Sequence, residues 1–290
     1  MIDRLAMFMV LAREQHFGRA AEALGITQPS LSSALKALEE QLGVQLVRRG
    51  SRYRGLTPEG ERVLDWARRI VGDARTMQAE MRASRTGLTG RLRIGVIPTA
   101  MPRIAALTGP FLARHPATEV AILSRSSDDI RDQIAALELD AGVTYLDSEP
   151  VGRLQTSPLF RENLCLVDRT TQTGPADWAE AARRPLCLLT PDMQNRRIVA
   201  RHLAEAGETA APRVESNSML AILSHVTTGA WAAILPQALA DGLPLPKGVV
   251  SRPLQAGPGH LVGLVVAERS PLPPIVEALM QTARSLTVDS

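Results

Sequence analysis

Gln28, Ser30, Ser32, Ser33 and Lys36 fall on one side of a predicted helix, and Arg48, Arg49, Arg52 and Arg54 crowd the short stretch that follows it. A glutamine amide can bond both ends of an adenine edge. Serine hydroxyls can donate to bases or phosphates, and the cations neutralise phosphates. This is the chemistry of nucleic-acid recognition. The elements that must present it are legible nearby. Thr27 is an N-cap and Pro29 suits a first helical turn. Leu31, Leu35, Leu38 and Leu42 then form an apolar stripe that turns the polar set outward, and Gly43 closes the helix. A short helix from Arg19 to Leu24 and a turn at Gly25 precede it. The first helix, over 3–14, carries Leu5, Phe8, Met9 and Ala12 on one face. After it, VQLVRRGSRYRGLTPEG predicts a strand, a turn at Gly50–Ser51, a second short strand and a cap at Thr57–Pro58. The pattern is a helix-turn-helix with a wing. One helix enters a DNA major groove, and the arginines meet the flanking minor groove or phosphates.

Other reactive groups are sparse. The five histidines, His16, His115, His202, His225 and His260, lack metal-ligand spacing, and no nucleophile elbow, P-loop or dinucleotide fingerprint occurs. Cys165 and Cys187 lie in the apolar runs LCLV and LCLL, which predicts buried thiols. Pairing either with His225 as a nucleophile and base is the weaker alternative, as is a redox switch between them. No cofactor or metal and no enzymatic activity are expected. The net charge is +3, but residues 1–90 hold 14 Lys+Arg against 10 Asp+Glu, and the remainder 19 against 20. The basic excess is therefore N-terminal, where the nucleic-acid chemistry lies. No leader peptide or membrane-spanning run is read from the sequence, so a cytoplasmic location is expected.

From Thr57 to about Ser84 the residues Val63, Ala67, Ile70, Ala74, Met77 and Met81 are spaced by fours and threes. This is a heptad seam suited to pairing with a helix of a second chain. TGLTG at 86–90 reads as a hinge. Beyond it, short apolar runs alternate with helical stretches, which predicts a mostly parallel α/β architecture. Ligands of such sheets sit beyond the carboxyl ends of strands, at helix N-termini. That rule picks out Thr99, Ala100 and Met101; Arg125, Ser126 and Ser127; Tyr145, with a hinge at Tyr145–Leu146; Met193 within PDMQN; and Ser216 with Asn217. Each hydroxyl or amide could equally be an ordinary helix cap, while the group together suits a small anion. Arg196 and Arg197 could pair with such an anion or lie on a helix surface.

The ordered run AAEALGITQPSLSSALKALEEQLGVQLVRR, followed by LTPEG, resembles the N-terminal signature of LysR-type transcriptional regulators, with Thr27 where serine is usual and Val47 where phenylalanine is usual. The resemblance implies that Thr27, Gln28, Pro29, Ser30, Ser32, Ser33, Lys36, Arg52 and Arg54 form the DNA interface. It implies a dimerising linker helix and a two-lobed effector domain like periplasmic binding proteins, with Thr99, Ser127 and Asn217 at the effector. The expected domains are a winged helix-turn-helix over 1–58, a linker over 59–90, and an effector domain over 91–290, whose lobe I is 91–146 plus 258–290 and whose lobe II is 147–257. The expected partners are double-stranded promoter DNA, further copies of the chain as a homodimer or dimer of dimers (a homotetramer), RNA polymerase and a small anionic metabolite, with no membrane. A peroxide-responsive regulator of the same family is the alternative.

Overall fold

The computed structural model describes residues 1–48, 53–242, 245–255 and 257–286. Arg49, Arg52 and the expected wing turn at Gly50–Ser51 lie outside the described residues. The chain divides into two compact units: Met1–Gly87 with Ala135–Leu137 and Pro271–Pro274, and the remaining residues from Leu88 onward.

The first unit opens with α1 (Ile2–Glu14), α2 (Phe17–Leu24) and α3 (Gln28–Leu42). His16 caps α2, its Nδ1 accepting from the Gly18 and Arg19 amides at 3.1 and 3.3 Å. Thr27 caps α3 through the Ser30 amide at 3.3 Å. Gly25 and Gly43 take φ of 66° and 69°, the left-handed backbone a side chain would resist, and so end α2 and α3. The core gathers Leu5, Phe8, Leu11, Ala20, Leu31, Leu35, Leu38 and Leu46. Two details differ from the sequence pattern. In α1 it is Leu11 that is buried, while Met9 and Ala12 are half-buried, and Leu42 at the end of α3 is 38% exposed. Glu39 reaches back from α3 to accept from the Leu46 and Val47 amides at 2.7 and 3.3 Å. Val47 then bridges Leu56 in antiparallel fashion at the base of the arm.

Thr57 caps α4 (Pro58–Thr86), accepting from the Gly60 amide at 2.9 Å. A Cβ on Gly60 would overlap the Leu46 carbonyl oxygen, so glycine lets the helix start against the arm. At 29 residues α4 is roughly 43 Å long. Ala67 and Val71 belong to the core of the helix-turn-helix, so the start of the heptad seam packs on its own unit. Farther along, Ile70, Met77 and Met81 are 36%, 58% and 58% exposed.

The second unit contains β1 (Gly90–Val96), a short turn of helix at Met101–Arg103, α5 (Ala105–Arg114), β2 (Thr118–Ser124), α6 (Ser127–Ala135), β3 (Ala141–Tyr145) and β4 (Leu154–Glu162). It continues through β5 (Leu164–Arg169), α7 (Trp178–Ala182), β6 (Leu186–Leu189), α8 (Gln194–Glu205), β7 (Val214–Ser216), α9 (Met219–Thr227) and β8 (Ala232–Pro236). Last come α10 (Gln237–Asp241), β9 (Val249–Pro253), β10 (His260–Ala267) and α11 (Pro274–Ser285). Two five-stranded sheets result, ordered β2-β1-β3-β10-β4 and β7-β6-β8-β5-β9.

The mostly parallel expectation is corrected. Each sheet has two parallel and two antiparallel pairings, because β10 runs against β3 and β4, and β5 runs against β8 and β9. The lobe boundary at 147 is corrected too. β4 pairs along its length with β10 and so belongs to lobe I. The chain therefore passes between lobes at Asn163, between β4 and β5, and returns between β9 and β10, where Leu254, Gln255 and 257–259 are the described residues. Tyr145–Leu146 is not a crossing point. The two real crossings lie side by side: Arg161 donates to the Gly259 carbonyl at 3.1 Å, and a Cβ on Gly259 would strike Asn163.

Candidate nucleic-acid interface and effector cavity

Burying Leu31, Leu35 and Leu38 fixes the rotation of α3, and its other side carries Gln28, Pro29, Ser30, Ser32, Ser33 and Lys36, all exposed. Thr27 is exposed, but its hydroxyl is engaged by the Ser30 amide and by the Ser30 hydroxyl at 2.8 Å. Thr27 and Ser30 thus shape the helix start, which leaves Gln28, Ser32, Ser33 and Lys36 as the side chains best placed to reach a groove. Lys36 pairs with Glu40 at 3.6 Å with both side chains largely in solvent, a contact too weak to hold it. On the arm Arg54 is exposed, while Arg48 donates to the Leu56 carbonyl at 3.1 Å and braces the arm's base.

In the second unit a cavity of about 610 Å³ lies between the lobes. Lobe I supplies Pro98, Met101, Ser124, Arg125, Ser126, Asp129 and Gln133; lobe II supplies Asp192, Met193, Asn217, Ser218 and Met219. Of the residues expected at an effector, Met101, Ser126, Met193 and Asn217 are therefore brought together. Thr99, Ala100, Ser127 and Tyr145 are buried and do not line this cavity. The start of three helices does. Ser126 and Asp129 form a reciprocal cap on α6: the Ser126 hydroxyl donates to Asp129 at 2.8 Å and accepts from the Asp129 amide at 3.1 Å. Ser218 caps α9 through the Ala221 amide at 3.4 Å. The N-cap of α8 is Met193, which has no side-chain acceptor to offer. Asp129 and Ser218 were missed in the sequence, although the serine-to-aspartate spacing at 126–129 is a capping-box signature.

Ser127 instead accepts from Thr144 at 2.9 Å inside lobe I. Thr99 and Asn195 each lie 3.1 Å from the Tyr145 hydroxyl, which donates to Glu162. Burial pushes the Glu162 carboxyl up to about 7, against the opposing pull of its bonds to Tyr145 and Thr99. Burial likewise holds the Tyr145 phenol well above its usual range. Arg197 is committed to Glu149 at 2.6 and 2.8 Å and lies 3.6 Å from Asp128, and Arg196 lies 3.8 Å from Glu215. Both sequence-flagged arginines thus have protein partners, and the cation in the cavity wall is Arg125.

Both thiols sit in the core of lobe II. Cys165 donates to the Leu235 carbonyl at 3.4 Å, and burial pushes it up to about 11; burial also raises Cys187. The His225 ring places Nδ1 2.8 Å from the Ala221 carbonyl oxygen and meets Trp231 edge-on. Its Nδ1 is thus engaged on its own helix. Among the described residues no cluster of three His, Cys, Asp or Glu could hold a metal ion, and no helix is long and apolar enough to cross a membrane.

Residues 2–61 match the model of the bacterial regulatory helix-turn-helix protein, lysR family, and residues 85–287 match the LysR substrate binding domain. A probable hydrogen peroxide-inducible genes activator of Mycobacterium xenopi is 36% identical over 164 residues, 56% of this chain and 86% of that protein. The DNA-binding transcriptional dual regulator OxyR of Escherichia coli K12 is 26% identical over 290 residues, 98% of this chain and 95% of that protein. The solved full-length OxyR of Pseudomonas aeruginosa, a cysteine-to-aspartate variant, superposes with a TM-score of 0.76 at 27% identity, covering 99% of this chain and 95% of that one.

Proposed function

This chain belongs to the LysR family of bacterial helix-turn-helix transcriptional regulators, and on that premise we propose that a small anionic effector binding between the lobes controls how α3 and the Arg54 arm engage promoter DNA. The family consists of DNA-binding regulators, not enzymes. The observation that carries the effector class is that residues at the N-terminal ends of α6, α8 and α9 line one cavity, α8 without a side-chain cap. The positive ends of the helix dipoles, with the start of α8 left without a side-chain cap, favour a carboxylate or similar anion there, with Arg125 beside it. Met101, Met193 and Met219 supply apolar wall. The effector acts by binding one lobe arrangement better than another.

Two copies paired along the exposed Ile70, Met77 and Met81 of α4 would place two reading helices on two half-sites, and a dimer of dimers would extend this to further sites. Contact with RNA polymerase and a cytoplasmic location complete the reading. The test is fluorescence anisotropy on duplex DNA from the region upstream of the coding sequence, across a salt series, with and without small carboxylates. Affinity near 10⁻⁸ M, well above that for scrambled duplex, and a shift on adding one carboxylate support the reading. Binding indifferent to both sequence and carboxylates overturns it.

Relatives named for hydrogen peroxide favour a second reading, an oxidant-responsive regulator. The chain has two cysteines, and both are core residues whose thiols burial keeps protonated. A thiol-based response to peroxide has poor chemical footing on them.

A further inference from the structure

His202, on α8 of lobe II, and His260, the first residue of β10 in lobe I, bring their Nε2 atoms to 3.1 Å. Their outer nitrogens are held. His202 Nδ1 lies 3.2 Å from a Glu205 oxygen. His260 Nδ1 lies 3.2 Å from the Ser148 hydroxyl and 3.9 Å from Asp147. The His202 ring stacks on Trp178, with centroids 4.8 Å apart, and the Trp178 indole donates to the Gln255 carbonyl in the returning crossing segment at 2.8 Å. The pair therefore sits at the hinge.

The partners dictate the protons. A carboxylate only accepts, so His202 carries its proton on Nδ1 and presents a bare Nε2. His260 must then donate from Nε2 and accept from Ser148 at Nδ1. One added proton fits, on His260 Nδ1, with Ser148 turned to accept and Asp147 nearby. A second leaves two N–H groups facing each other. We infer that His202 and His260 form a proton-operated latch between the lobes, closed while the pair holds at most one extra proton and opened when both rings are charged.

The surrounding groups agree with this assignment. Asp147 and Glu205 favour charge on His260, whereas burial, His202 and Arg201 oppose it, and the ring stays neutral to a lower pH than a free imidazole. Arg161, from β4, lies 4.0 Å from Asp147 and tempers that carboxylate's pull; the Tyr145 ring meets His260 edge-on at 6.1 Å. The closed state thus binds fewer protons than the open one, and acid favours opening. The latch requires the two lobes but not the anionic effector.

The test follows the His260 ring carbon signal of the full-length protein by NMR from pH 8 to 5, beside hydrogen exchange of segment 254–259 corrected for its intrinsic pH dependence. The expected result is coupled titration of the two rings, and exchange about tenfold faster at pH 5.5 than at 7.5, the change one pKa unit of difference between open and closed supplies. His202→Gln, whose amide can still meet His260, raises the His260 midpoint and flattens the exchange profile. Independent titration in the parent overturns the latch without need of any variant. So does coupled titration with unchanged exchange, or an exchange profile that persists in His202→Gln.

Discussion

The Tyr145 hydroxyl, at the end of β3, donates to the Glu162 carboxyl, at the end of β4, and accepts from Asn195 on α8 at 3.1 Å. One phenol thus joins the last residue before the crossing at Asn163 to the first turn of a lobe II helix. Glu162 is buried and its carboxyl is pushed up from 4.5 to about 7. A raised folded-state pKa means the native protein binds more protons than the unfolded chain between those values. Stability on this account is fully present below pH 4.5 and is lost as pH rises through about 7. Glu162→Gln removes the ionisation. Parent stability minus variant stability should fall by about 1–3 kcal/mol between pH 5 and 8. Urea midpoints at matched pH measure it, and parallel profiles would show that Glu162 does not titrate in this range.

Gln28 on α3 and Arg54 on the arm should separate by kind of contact. Gln28→Ala is expected to cost roughly 1–3 kcal/mol on the natural operator and relax preference at one base pair. Arg54→Ala should weaken all duplexes similarly and lower the salt slope by about one. Anisotropy titrations at several salt concentrations on matched and mismatched duplexes report both. If both variants bind as the parent does, α3 and the arm are not the reading surface.

The helix-turn-helix was legible because its signals are local. Thr27, Gly25 and Gly43 mark ends by their own backbone chemistry, and Leu31, Leu35 and Leu38 fix the buried face within one helix. Leu42 misled because the last turn of α3 projects beyond the core. The strands β1, β2, β3, β5, β6, β8 and β10 were visible as apolar runs. β4 was not, since it is an edge strand interrupted by Pro158, tolerable only at an edge. Missing it moved the lobe boundary and hid Glu162. The buried cluster joins residues as far apart as Thr99 and Asn195, and the histidine pair spans 58 positions, so no local pattern announces either. The cavity was half legible. The strand-end rule picked out loops that line the cavity, but which side chain of a loop faces it depends on the pleat and on caps such as Ser126–Asp129.

The thiols give a prediction that discriminates this chain from relatives named for peroxide. Cys165 and Cys187 are buried in the lobe II core, and a buried neutral thiol is a poor nucleophile toward peroxide. Both should resist maleimide labelling in the native protein and label on unfolding. Micromolar hydrogen peroxide should leave DNA affinity unchanged. Loss of native thiol together with a shifted affinity would restore the oxidant-sensing reading.

The cavity should be separable from the DNA interface. Met101 and Asn217 face it from opposite lobes, and neither belongs to the helix-turn-helix unit. Met101→Trp fills space on the lobe I side, and Asn217→Ala removes a polar group on the lobe II side. Each should leave DNA affinity without effector within about twofold, because neither side chain belongs to the unit that carries α3 and changes with no shared partner add independently. Each should also abolish or weaken the carboxylate-induced shift, Met101→Trp by exclusion and Asn217→Ala by about 0.5–1.5 kcal/mol for one lost hydrogen bond. Calorimetric titration of the carboxylate into parent and variants measures that loss directly. Unchanged carboxylate binding in both variants would place the effector elsewhere in the molecule, whereas lost DNA binding without effector would mean the cavity supports the active arrangement even when empty.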